Sequence, residues 1–159
     1  MLLVVIGLHV LFDIVGIAAT AATEAPHHAR AANRVFGAQQ AVYLVRNADV
    51  VANFANDIVG DVTGTLSGAM AATIVMDLFR FYPYLGPYEI WLNTGMLALV
   101  ASVTVTGKAF GKSFAINEAD EIISTVGVFV ATLERITGRS FTGRKKRGGR
   151  KNGVARKHP

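Results

Sequence analysis

The chain has 159 residues, no cysteine, 52% hydrophobic residues and only 17% charged ones, against about 25% charged in an ordinary soluble domain. That balance, with a mean hydropathy of +0.39, argues against a soluble domain and for a small membrane protein. The missing cysteines remove disulfide scaffolds, Fe–S clusters, cysteine zinc sites and thiol nucleophiles together. The net charge of +5 joins two unlike pieces. Residues 1–134 hold all 11 acidic residues and 6 of the 16 basic ones, a net −5, whereas residues 135–159 hold ten basic residues and no acid.

The first apolar run, residues 2–23 (LLVVIGLHVLFDIVGIAATAAT), suits a spanning helix of about 20 residues. Asp13 interrupts it, and His9 is its other strongly polar residue. A cleaved signal is the rival reading, with Ala19-Thr20-Ala21 as cleavage site, but no Lys or Arg precedes the run. Residues 26–47 predict one amphipathic, Ala-rich helix with Pro26 at its first position and Arg30 and Arg34 on its surface. The second span, 50–76, has a polar first half that includes Asn53, Asn56, Asp57 and Asp61, and an apolar second half. Residues 77–88 (DLFRFYPYLGPY) form an aromatic interfacial loop. The third span, 89–107, carries Trp91 at its outer end, and Lys108 and Lys112 follow its inner end. A further helix is expected to start near Asn117 as its cap, with an apolar stretch, Ile122–Leu133, too short for a full span. Residues 138–159, with RKKR at 144–147, predict a disordered basic tail.

The expected fold class is therefore all-α: an integral membrane bundle of three spanning helices plus cytoplasmic juxtamembrane helices over residues 1–137, followed by the tail 138–159. With three spans, one side holds 15 of the 16 basic residues and the other only Arg80. The positive-inside rule then puts the N-terminus outside and the C-terminus in the cytoplasm of a bacterial-type plasma (inner) membrane.

Acids inside spans carry the chemistry. Asp13 lies mid-run in the first helix, and Asn53, Asp57 and Asp61 fall at i, i+4 and i+8 of the second. A carboxylate in hydrocarbon costs about 2.5–3.5 kcal/mol on insertion scales. Such residues must face a bundle interior, a water-filled cavity or one another, and their oxygens suit hard cations such as Mg²⁺ or Na⁺. The alternative places Asp57 and Asp61 at the cytoplasmic interface, solvated or paired with Lys108. Gly60, Gly64 and Gly68, at four-residue spacing, predict a close helix-packing face. The segment 106–113 (TGKAFGKS) lacks the first glycine of a phosphate loop, and adjacent His27 and His28 point apart on a helix, so neither marks a site. No Ser/His/Asp set has a supporting motif, so the expectation is that the protein is not an enzyme. The tail 138–159 is expected to meet anionic lipid at the membrane surface, or nucleic acid, or to serve only as a topology anchor.

The order of elements resembles the transmembrane domain of the CorB/CorC/HlyC-like and cyclin M (CNNM) proteins, over roughly residues 5–135. Arg34, Ala38, Ala41, Leu44 and Asn47-Ala48-Asp49 stand where the family has its "R…A…A..L..NPD" stretch. Gly107-Lys108-Ala109-Phe110-Gly111-Lys112 is the counterpart of its "GE-hydrophobic-xPK" segment, with Lys108 at the family's acidic position and Gly111 at its proline. The family's first-helix small-Glu-x-Ala motif and its paired CBS domains are absent from this sequence. The resemblance implies Mg²⁺ or Co²⁺ transport by a homodimer, with Asp57, Asp61, Asn53 and Asp13 as replacement ligands. The rival expectation is a non-transporting structural or partner-binding membrane protein.

Overall fold

The computed structural model describes residues 1–138, all of its regular structure helical; the basic tail expected beyond Gly138 lies outside the described residues. Seven α-helices follow in order: α1 Leu2–Ala21, α2 Glu24–Ala32, α3 Ala38–Arg46, α4 Ala48–Asn53, α5 Gly60–Phe81, α6 Glu89–Asn117 and α7 Ala119–Thr137. A π-helical segment, Phe54–Val59, joins α4 to α5 without a break, and a 3₁₀ turn, Pro83–Tyr88, joins α5 to α6. Three stretches are long and apolar enough to cross a membrane: Leu2–Ala21, Ala48–Phe81 and Pro83–Asn117. The second and third exceed the expected 50–76 and 89–107 at both ends, because polar residues at either end continue the helical hydrogen bonding beyond the apolar run.

Helix α1 lies at the centre. It runs antiparallel to α5, whose Gly60 and Gly64 flank His9 and whose Asn56 meets Gly16. It runs parallel to α6, with Gly107 on Val10 and Gly111 on Ile14. A Cβ at Gly111 would stand 2.8 Å from Ile14 Cγ1, so this glycine lets the two helices close. The offset matters. With Val10 level with Gly107, Leu2 is level with about residue 99, so the first turns of α6 extend about 15 Å past the start of α1. One end of the molecule is therefore only the α5–α6 hairpin, rimmed by exposed Tyr82, Tyr84, Tyr88 and Trp91. At the other, broad end, α3, α4 and α7 gather around the last turns of α1, and α2 packs on α3 and α7. The main core sits there, built from Ala18, Ala19, Ala41, Leu44, Ala115, Ala119 and Ile123. A smaller cluster of Ile6, Ala71 and Val100 ties the three long helices together.

Two expectations need correction. Residues 26–47 are not one helix: α2 and α3 are separated at residues 33–37, where Arg34 (φ 57°) and Gly37 (φ 81°) both adopt left-handed backbone, which a right-handed helix cannot contain. Gly37 packs flat on the backbone of Val128, where a Cβ would stand 2.6 Å from its N and Cα. The turn is therefore set by α7, a tertiary cause. Asn117 is not the cap of the last helix either. It ends α6, and α7 begins at Ala119 with Glu118 at the cap position. Helix α7 ends in the way expected of a glycine stop, with Gly138 left-handed at φ 67°.

Candidate functional site

Helix α1 presents His9, Asp13 and Gly16 in a line, one turn apart, to α5 and α6. His9 is 8% exposed. Its Nδ1 lies 2.8 Å from Thr63 Oγ1. The Thr63 hydroxyl has one proton, and it is directed to the carbonyl of Val59 at 2.7 Å, with that of Gly60 at 3.1 Å. Thr63 therefore accepts from His9, which fixes the proton on Nδ1 and leaves Nε2 with its lone pair in the neutral ring. That Nε2 is buried and has no hydrogen-bond partner. One turn on, Asp13 pairs with Lys108 of α6 at 3.4 Å, their side chains 15% and 34% exposed. One turn further, the amide oxygen of Asn56 is buried without a partner against Gly16. Ser67 continues the polar line on α5, donating to the carbonyl of Thr63 at 2.8 Å.

The four expected ligands do not converge in one chain. Asp13 is taken by Lys108, and Asn53, Asp57 and Asp61 are exposed. The π-helical turn is the reason. Its wider i→i+5 spacing turns Ala55 and Asn56 toward α1 and leaves Asn53, Phe54, Asp57 and Ile58 outside. The inward strip of the second span is Ala55, Asn56, Gly60, Thr63 and Ser67, with Asp57 and Asp61 flanking it. Among the described residues, no group of three or more His, Cys, Asp or Glu side chains is placed to hold a metal ion. Asp57 and Asp61 also lack a cationic partner among the described residues.

The aromatic rim gives these groups a depth. A hydrocarbon core of about 30 Å corresponds to about 20 helical residues. Counted from the rim, this brings α5 back to the level of Asp61 and α6 on to Lys108. Asp13 is at that level too, and Asp57 lies a turn beyond it. Were the three long helices to cross a membrane, these charged groups would gather at one boundary of the apolar slab, with His9 inside it.

Sequence reasoning noted His9, and counted Asn56 and Thr63 among the polar residues of the second span, but gave none of the three a place in the site. A signal was present: His9 and Asp13 are the two strongly polar residues of α1, and they are four apart. The glycine expectation was displaced. Gly60 and Gly64 make room for the His9 ring at ordinary van der Waals distances of 3.7–3.9 Å, and Gly68 faces open space.

A second polar joint closes the broad end. The backbone N–H of Thr23 donates to Asp120 Oδ1 at 2.9 Å, and its hydroxyl donates to Oδ2 at 3.1 Å. Buried His27 brings Nε2 to within 3.4 Å of the same carboxylate. The Thr23 backbone N–H is the main cause that holds the Asp120 carboxyl below the usual carboxylate range, with the Thr23 hydroxyl and the nearby His27 adding to it. A depressed folded-state value stabilises the fold above the unfolded carboxylate's pKa of about 3.9, and the contribution is lost as pH falls through the lower folded value. Acidification below about pH 4 should therefore lower the thermal midpoint of the wild type by an increment that Asp120→Asn lacks. Parallel melting curves that keep a constant separation down to pH 2 would refute this.

Comparison of the chain with family models, curated proteins and solved structures finds no match in any of the three.

Proposed function

We propose that this chain is an integral membrane protein that binds and passes divalent cations, of the Mg²⁺ or Co²⁺ class, as an assembly of two copies. The observation that carries this reading is the pair Asp57 and Asp61. Both are exposed, without a cationic partner among the described residues, at and just beyond the boundary where the apolar part of α5 begins. Carboxylates so placed attract cations, and with Asn53 they supply the oxygen donors that hard cations take. A second copy facing this edge would double the donor count that one chain lacks. The Asp13–Lys108 pair supplies an internal counter-charge beside the path. The resemblance to the CorB/CorC and cyclin M transmembrane domain supports the same class of ion. The distribution of basic residues supports a broad end in the cytoplasm.

The test is flux into proteoliposomes followed with a Mg²⁺-sensitive dye. Asp57→Asn with Asp61→Asn should reduce flux at least tenfold while leaving the melting temperature in detergent within a few degrees. Unchanged flux and Mg²⁺ affinity in that double variant would remove the proposal. The other reading, a non-transporting partner-binding protein, is favoured by α6: only 6% of its apolar window is buried within the chain, which leaves a long face for another helix.

A further inference from the structure

Between the α2–α3 turn and α7 lies an open cavity of about 180 Å³ whose walls include Arg30, Phe36, Ser124, Thr125 and Val128. Among the described residues, Arg30 is the only charged group lining it. It donates through Nη1 to Ser124 Oγ at 2.5 Å, and no carboxylate among the described residues pairs with it. A guanidinium has five donors in a planar fork and forms its strongest bonds with phosphate or carboxylate oxygens, so a single hydroxyl leaves most of its capacity unused. Thr125 is also a wall of a second cavity, an almost wholly apolar groove of about 400 Å³ between α7 and α1, lined by Leu11, Phe12, Val15, Val126 and Phe129. The two cavities therefore adjoin along the open face of α7. Phe129 is 64% exposed on that face. Leu11 and Phe12 stand at the level of Asp13, the boundary of the apolar slab, and Arg30 lies further toward the broad end.

A basic, hydroxyl-lined cavity opening into an apolar groove matches one chemical shape: an anionic head joined to a hydrocarbon chain. We propose that this is a specific site for an anionic phospholipid. The phosphate sits on Arg30 with Ser124, and an acyl chain lies between α7 and α1 against Phe12, Val15 and Phe129, with Thr125, whose hydroxyl donates to the Glu121 carbonyl, as the wall between the two. A free phosphate uses the first cavity alone and gains nothing from the groove. The acids of the neighbouring helix start do not enter either cavity: Glu121 and Asp120 line a separate depression with Asn117. The site is independent of the cation proposal, since it shares no residue with Asn53, Asp57 or Asp61.

Binding of dioctanoyl phosphatidylglycerol to the full chain in detergent tests it, by titration and by native mass spectrometry. The wild type should retain one lipid. Arg30→Ala should weaken binding about tenfold or more, as expected for loss of a charge-assisted pair, and Arg30→Lys should recover part of the loss. Thr125→Trp, which fills the passage between the cavities while leaving the Arg30–Ser124 bond, should weaken lipid binding to a similar degree. It keeps the question answerable if Arg30→Ala unfolds. Inorganic phosphate at millimolar concentration should fail to displace the lipid. Displacement by phosphate would overturn the lipid assignment in favour of a free anion. Undiminished lipid binding in Arg30→Ala, or in Thr125→Trp, would overturn the site.

Discussion

Replacing Lys108 by methionine is expected to destabilise the protein by about 3 kcal/mol, and the double variant Asp13→Asn, Lys108→Met to recover most of that loss. The reason is asymmetry. Lys108 and Asp13 are each other's charge partners at 3.4 Å, with Asp13 only 15% exposed. Removing one partner strands the other in poor solvent, at about 3–5 kcal/mol for a buried pair, whereas replacing both with neutral groups is often nearly neutral. The low end of that range applies because a third of the Lys108 side chain reaches solvent. Denaturation of the four species of the cycle in one detergent gives the coupling directly. A Lys108→Met protein as stable as the wild type would show that Asp13 is neutralised some other way.

Gly127→Val is the second large effect. A Cβ at Gly127 would stand 2.7 Å from the carbonyl oxygen of Gly37 and 2.9 Å from the backbone nitrogen of Ala41. Neither atom can swing aside as a side chain does. The crossing of α3 on α7 must open, and the core around Ala41 and Ile123 opens with it. Overpacking of this kind costs about 1–3 kcal/mol, and a branched side chain against backbone belongs at the top of the range. Limited proteolysis should cut the variant within 33–37 well before the wild type. Gly64→Ala is the contrast: its Cβ would meet only the His9 ring at 3.7 Å, so it should be neutral or slightly stabilising, since alanine favours a helix over glycine by about 1 kcal/mol. Equal losses at the two positions would contradict this account of which glycine makes the close crossing.

That contrast shows where the sequence could be read and where it could not. The three long apolar stretches were legible because crossing length and composition are local, one-dimensional properties, and Asp13 was legible because a carboxylate is conspicuous among Leu, Val and Ile. The glycine spacing of 60, 64 and 68 marked the face in part: Gly60 and Gly64 lie against His9 of α1, whereas Gly68 faces open space, since spacing along one helix says nothing about what lies opposite. Gly37, Gly111 and Gly127 make close approaches that no spacing marks, each against a residue about 90 positions away in sequence, and Gly16 makes another against Asn56. The break at 33–37 was hidden for the same reason: Gly37 is held by Val128. The outward face of Asn53 and Asp57 was not legible because a π-helical turn shifts the register by about one residue, whereas Asp61 lies in the α-helix beyond that turn. Nothing in the string FANDIV distinguishes it from an α-helical turn. The sequence offers Lys108 as a partner for Asp57 and Asp61 of the second span, whereas in the fold it pairs with Asp13. The cavities on α7 required the fold of α2 and α3 onto it.

The offset of α1 against the α5–α6 hairpin gives the molecule unequal cross-sections. With the three long helices crossing a bilayer, two would pass through the leaflet near the aromatic rim and three through the one near Asp13, with α3 and α7 crowding the surface beside them. The chain would then displace more lipid from one leaflet than from the other, and the outer flank of the hairpin, where α1 stops short, is a slot one helix wide. The shape is that of a wedge. Its fit to the surrounding membrane depends on leaflet area as well as thickness, and filling the slot, with lipid chains or with a neighbouring helix, makes the displaced areas more nearly equal.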